Sequence, residues 1–194
     1  GSSGAVVNYT SGSGGTTLTF NYTVASGHVS SDLDYASTGA LALNGGTIND
    51  ANGNAATLTL ASPGASGSLG ANKALVIDGV VPTVTNVTST TSDGTLKVGD
   101  VAAITVTFSE AVTVSGTPQL TLSTGSSNAV VDYTSGSGGT TLTFNYTVAS
   151  GHVSSDLDYV ATNSLALNGG TIKDALNNVA ILTLASPGAS GSLG

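Results

Sequence analysis

The stretch Tyr133-Thr134-Ser135-Gly136-Ser137-Gly138-Gly139-Thr140-Thr141-Leu142-Thr143-Phe144-Asn145-Tyr146-Thr147-Val148 decides the reading of this chain, and it also occurs letter for letter from Tyr9. From Thr141 to Val148 every second residue is apolar, with Thr and Asn between them, and residues 17–24 repeat the pattern. Period-two alternation rich in Thr, Val and aromatics predicts a half-buried antiparallel strand. The Ser-Gly-Ser-Gly-Gly run at 135–139 predicts the hairpin turn that leads into it.

Working outward, residues 1–70 recur as residues 125–194 at an offset of 124, with eleven differences in seventy positions. Gly4 becomes Asn128, Asn8 becomes Asp132 and Asn49 becomes Lys173; four more differences fall between Ala36 and Ala40, and four between Asn52 and Thr57. Such near-identity points to recent duplication within a long array. A period of 124 is too long for helical or leucine-rich solenoids and suits one whole β-sandwich, so each repeat is expected to hold its own core. The seam is placed at Val76-Ile77-Asp78-Gly79-Val80-Val81-Pro82, where a strand ends and a Pro opens the next segment. Residues 1–80 are then the C-terminal portion of one module, and residues 81–194 a second module lacking its last strand, the counterpart of 71–79. A chain out of register with its own modules is expected either of a stretch cut from a longer array or of neighbouring chains that complete one another's sandwiches.

Further strands are predicted at 73–78, 83–90, 101–108, 119–123, 129–134, 164–167 and 180–185, and no segment has helical periodicity. About eight short strands per period predict an all-β fold of tandem immunoglobulin-like antiparallel β-sandwich modules. Ile104, Leu142, Phe144 and Tyr146 are expected in the core, with Leu18 and Phe20 in the first copy; Thr105, Thr107, Thr143 and Asn145 are expected to point outward.

The formal net charge is −8, only 7% of residues are charged, and Cys, Met and Trp are absent. With 39% apolar residues the chain can bury a core, which excludes a disordered acidic tail. Three Lys and no Arg cannot neutralise a phosphate track, so nucleic acid is not an expected partner. No apolar run reaches membrane length and no signal peptide or lipidation box is present, so no membrane insertion is expected. The opening Gly1-Ser2-Ser3-Gly4 is expected of a processed product or of part of a longer protein. Absence of Cys is compatible with secretion, where an acidic surface meets abundant calcium.

For catalysis the chain offers Ser and Thr nucleophiles and His28 or His152 as base, both in a Ser-Gly-His-Val-Ser-Ser-Asp loop. A triad of His152, Asp156 and a nearby Ser can be drawn, but no nucleophile elbow or oxyanion motif surrounds it, and the expectation is no enzyme. Gly12-Ser13-Gly14-Gly15 lacks the Lys and following helix of a phosphate cradle and reads as a hairpin tip. Thr on strand faces is the default outward residue of a soluble strand, and Lys73, Lys97 and Lys173 have no evident partner for a Lys–Asn cross-link. The acids gather at predicted strand ends. Asp78, Glu110, Asp32, Asp34, Asp156, Asp158, Asp93 and Asp100 are the candidate Ca²⁺ ligands, since calcium takes about six to eight hard oxygens that paired carboxylates and loop carbonyls supply. Asp-Leu-Asp puts both carboxylates on one side of an extended segment; Glu110 is expected near Asp78 at the seam, and Asp93 and Asp100 at the opposite pole. The competing expectation is that isolated Asp residues cap turns.

Asp93-Gly94-Thr95-Leu96-Lys97-Val98-Gly99-Asp100, Ile104-Thr105-Val106-Thr107-Phe108-Ser109-Glu110 and Leu167-Asn168-Gly169-Gly170-Thr171-Ile172-Lys173-Asp174 resemble the Ig-like tandem repeats of giant bacterial surface proteins, including adhesins and surface proteins tied to cyanobacterial swimming. The resemblance spans the whole period, and the phrase ending Phe108-Ser109-Glu110 is its most specific part. It implies a secreted, cell-surface array, often stiffened by calcium, whose stalk repeats hold a separate tip domain away from the cell. The seam departs from the family in offering one carboxylate, Asp78, where calcium-rigidified linkers carry several. The expected role is a structural repeat giving length, stiffness and assembly with neighbouring copies of the same repeat, strand exchange included. The alternative is a glycan- or receptor-binding adhesive module built on the loops around His28 and Asp34.

Overall fold

The computed structural model describes residues 4–194; Gly1, Ser2 and Ser3, at the start of the first copy, lie outside the described residues. The chain divides into two compact units, Gly1–Val80 and Val81–Gly194, and the named strands of each pair antiparallel.

In the first unit β1 (Tyr9–Ser11) and β2 (Thr19–Phe20) form a hairpin, and β3 (Val29–Ser30) pairs with β4 (Ile77–Asp78). Between them lies α1 (Leu69–Asn72), a single turn that alternation did not predict. Ser68 starts it, its hydroxyl accepting the Ala71 N–H at 3.1 Å. The strands expected over 17–24 and 73–78 shrink to Thr19–Phe20 and Ile77–Asp78, because only residues lying opposite a partner complete a ladder.

The second unit runs β5 (Val84–Ser89), β6 (Val101–Ser115), β7 (Gln119–Leu122), β8 (Ala129–Ser135), β9 (Gly139–Thr147), β10 (Leu165–Ala166) and β11 (Thr171–Lys173). The sheet order is β10-β7-β8-β9-β6-β11, with β5 also on β6. The long strand β6 serves two partners on one side in succession. Its first half pairs with β5, and its last residues, Thr113–Ser115, pair with β11. Between Thr107 and Val112 it advances five residues while β9 advances two, from Thr141 to Gly139. That bulge holds Ser109, whose N–H donates to the Thr83 carbonyl at 2.8 Å and whose hydroxyl accepts the Thr83 N–H at 3.0 Å. A bulge bends a strand and re-aims it, which is how one strand can pass from one pairing to another.

The hairpin β8–β9 splays in the same manner: Tyr133 lies opposite Phe144, while the earlier part of β8, Ala129–Asp132, turns to β7. Ile104, Val106, Phe108, Leu120, Leu122, Leu142, Phe144 and Tyr146 meet in the core, as the alternation requires. Asn145 is exposed and Thr143 half-buried, so the register is right. Thr105 was expected outward and is buried instead, its hydroxyl donating to the Thr88 carbonyl at 3.3 Å. The cause is that β6 is flanked on both sides there, by β5 and β9. Residues 180–185 form no ladder; Ile181 makes an isolated parallel bridge to Thr83, although Ala180 and Leu184 are buried.

The two copies share their local geometry. Asn44 and Asn168 both adopt left-handed backbone, with φ of 46° and 47°, and the bulge at Tyr9/Ser11 recurs at Tyr133/Ser135. The rings of Tyr9 and Phe20 meet edge-on at 6.1 Å, as do those of Tyr133 and Phe144. Burial separates them. Phe144 is 0% exposed and Phe20 is 40% exposed, and Leu18 is half-buried where Leu142 is fully buried. The expected core positions of Leu18 and Phe20 are therefore not core. Among the described residues of the first unit no strand corresponds to β5, β6 and β7; in the second unit β6 and β7 pair along the two arms of the same hairpin and β5 adds to β6.

Phe144→Ala should cost about 3–5 kcal/mol in the second unit, the usual range for emptying a buried aromatic site. Phe20→Ala should cost less than half as much. Urea denaturation followed by hydrogen exchange resolved to the two segments measures both, and equal costs would contradict the difference in burial.

Candidate functional site

The acids mostly hold turns. Asp34 accepts the N–H groups of Tyr35 at 2.9 Å and Gly64 at 3.0 Å, and Asp32 accepts that of Leu75 at 3.3 Å. Asp32 and Asp34 do face one place. The Gly70 backbone passes so close that a Cβ there would meet Asp34 Oδ2 at 2.9 Å and Asp32 Oδ2 at 3.4 Å. In the second copy Asp158 accepts from Tyr159 and Gly188, each at 2.8 Å, and from Leu193 at 3.3 Å. A Cβ at Gly194 would lie 3.4 Å from Asp158 Oδ2 and 3.5 Å from Asp156 Cγ. These carboxylates staple the Ser-Pro-Gly-Ala-Ser-Gly-Ser-Leu-Gly segment to the loop that carries them.

Asp100 closes the turn before β6, accepting the Lys97 N–H at 2.9 Å and its Nζ at 3.0 Å, and Asp93 is exposed in the same loop. Asp78 accepts the Val80 N–H at 3.0 Å. Sequence reasoning passed over Asp50 and Asp174 as ligands, and each receives three N–H donors from the four residues after it. Asp174 is buried and accepts the N–H groups of Leu176 and Asn178 at 2.8 Å each and Asn178 Nδ2 at 2.7 Å. Asp50 accepts from Asn52, Asn54 and Asn54 Nδ2 in the same way. The signal was legible as Asp-x-x-x-Asn at both positions, an Asp whose carboxylate organises the four residues after it. Left-handed backbone at Gly53 and Asn177 closes both turns.

Electrostatics follow from these donors. For Asp174, partial burial pushes the carboxyl up, but the Asn178 side chain and the Asn178 and Leu176 N–H groups outweigh it and hold the group below its ordinary value. Asp34 is held low against burial by Gly64, Tyr35, Ser68 and Gly70. For Asp50 the Asn54 side chain is the leading cause of its lowering, and for Asp100 it is the Lys97 backbone N–H.

Calcium needs carboxylate oxygens with lone pairs to spare, and the N–H donors on Asp34, Asp100 and Asp158 take up part of that capacity. Within the second unit Glu110, in the β6 bulge, and Asp174 bring carboxylate oxygens within 4.8 Å of each other. Among the described residues the pairs Asp32–Asp34, Asp93–Asp100 and Asp156–Asp158 gather no third metal-ligating side chain at that distance.

The histidines are clamps. Tyr22 meets His28 Nδ1 at 2.8 Å and Tyr146 meets His152 Nδ1 at 2.9 Å, each with the rings stacked at 5.8 Å. The Ala25 and Ala149 N–H groups also point at Nδ1, at 3.3 Å each. The Ser154 hydroxyl donates to the Asp156 carbonyl at 2.6 Å.

The remaining feature is a face of the first unit. A groove of about 560 Å³ lies between residues 5–10 and residues 21–23, with His28 at its edge. Tyr9, Phe20, Val24 and Leu43 are exposed on the same unit. Among the described residues no helix is long and apolar enough to cross a membrane. Comparison of the chain with protein-family models, with curated protein sequences and with solved structures gave no match.

Asp174→Ala should destabilise the second unit by about 1–3 kcal/mol, the cost of stranding buried N–H groups. Asp174 is lowered in the folded state, so the unfolded chain binds more protons in acid. Its contribution is complete above the ordinary carboxylate range, near about pH 4, and is lost as pH falls through it toward the depressed value. Melting midpoints from pH 7 to pH 3 should therefore drop less steeply in Asp174→Asn than in the parent chain.

Proposed function

We propose that this chain is a structural repeat of an extracellular, cell-surface adhesin or filament, built of immunoglobulin-like β-sandwich modules in tandem. Its work is to supply length, stiffness and module-to-module assembly, and its partners are neighbouring copies of the same repeat. The observation that carries this reading is the pattern of differences between the copies. Ten apolar residues are buried in the second copy, from Ala129 to Leu184, and all ten are identical in the first. The eleven differences fall elsewhere, eight of them in the two windows 36–40 and 52–57 and their counterparts. Extension needs many equivalent units with one core, whereas recognition needs only one distinctive surface. The carboxylates and histidines support the same reading, since their hydrogen bonds hold turns and loops in both copies alike.

Stretching a single polyprotein of this repeat should give unfolding steps of equal length, about 400 Å of contour per 124-residue module before the folded length is subtracted. Irregular steps, or saturable binding of a glycan or receptor by the folded chain, would favour the adhesive-module alternative. Calcium belongs to the proposal as far as Glu110 and Asp174 hold it. The melting midpoint should then rise with Ca²⁺, fall with chelator and lose that response in Glu110→Gln, because a cation bound only to the folded state stabilises it. Coincident curves would remove calcium from the reading.

A further inference from the structure

We propose that the open face of the first unit is a docking site for one polypeptide segment, a further copy of residues 81–124 supplied by another repeat. The second unit carries the evidence. There this segment pairs β6 along β9 and β7 along β8, with β5 added to β6, setting Ile104 opposite Phe144, Val106 opposite Leu142 and Leu120 opposite Val131. The first unit presents the same face, since Phe20, Leu18 and Val7 are the residues 124 positions earlier. Its hairpin already has the same bulge and the same edge-on aromatic pair at 6.1 Å. The turn end of the receiving hairpin is therefore already in place, and its arms at residues 5–8 and 21–23 would extend on docking.

The groove supports the assignment independently. It is lined by residues 5–10 and 21–23, and their counterparts 129–134 and 145–147 are the splayed arms of β8 and β9 that take β7 on one side and β6 on the other. The five residues of β8 and β9 that the second copy buries, Ala129, Val131, Leu142, Phe144 and Tyr146, have identical counterparts in the first, and none of those is buried. The polar contact is preserved in kind: Gln119 Nε2 donates to Asp132 at 2.8 Å, and Asn8 offers an amide oxygen at the same position. Backbone pairing supplies affinity in such strand addition, and alternate side chains set the register.

The inference rests on the equivalence of the copies that the proposed array also uses, but its test is separate from the stretching experiment and can fail alone. The full chain is isotope-labelled and mixed with a peptide of residues 81–124, and amide exchange is followed at residues 5–10 and 17–23. Exchange at these amides should slow by about 10²-fold or more, toward the level of residues 141–147. A peptide carrying Ile104→Asp should give no protection. As the free peptide can aggregate, the same segment is also joined directly to Gly1, the order in which it precedes residue 125, and should protect the same amides intramolecularly. Three results would overturn the proposal: fast exchange persisting in the joined protein, equal protection by the Ile104→Asp segment, or protection of the chain alone through dimers that pair two first-unit faces.

Discussion

The pairing of β6 with β9, which sets Ile104 against Phe144, is the constraint on which the rest of the second unit depends. It joins residues about forty positions apart in sequence, so loop closure must be offset by burial before the contact contributes anything. Once made, it extends the sheet beyond β9 and gives β5 and β11 an edge to join. The bulge at Ser109 then lets a single strand turn from β5 to β11 without ending. The first unit carries the same hairpin without such a pairing among its described residues. The hairpin, its turn and its aromatic pair persist, while the residues that would form the core stay open.

That persistence has local causes. Gly12 and Gly136 adopt left-handed backbone with φ of 111° and 110°, and a Cβ at either would collide with the carbonyl of Thr17 or Thr141. The Tyr9 and Tyr133 hydroxyls accept the Ser13 and Ser137 N–H groups, tying each turn to its own strand. Such contacts span four residues and form whether or not a core closes around them. In a chain with so few charges, carboxylates do the same work elsewhere. Lys97–Asp100 is an exposed pair at 3.0 Å, of small energetic value in itself, and its larger role is to close the turn before β6.

The turn-holding role of the acids explains why they resemble metal ligands in sequence. Both a calcium loop and an Asx turn place Asp ahead of Gly and Asn in a bend, and both put the carboxylate on the inside of it. The difference lies in what the backbone aims at the carboxylate. N–H groups converge on Asp34 and Asp158, and the charge is satisfied by the protein itself. The same economy applies to His28 and His152, whose Nδ1 atoms are taken up by a Tyr hydroxyl and a backbone N–H.

By itself the sequence determined the β class, the strand register around Phe144, the position of the hairpin turn and the duplication at 124 residues, because alternation, Gly-rich turns and identity are local or directly countable. The pairing of Asp32 with Asp34 was legible for the same reason. Only the tertiary structure decided burial. Identical letters at Phe20 and Phe144 lead to opposite environments, since burial is a property of the strands that arrive from elsewhere in the chain. The same holds for Thr105, covered because β6 is flanked on both sides, and for Asp174, whose nearness to Glu110 follows from the β6–β11 pairing across nearly sixty residues. Periodicity reports which side of a strand a residue occupies; what lies on that side is set by partners that no local pattern names.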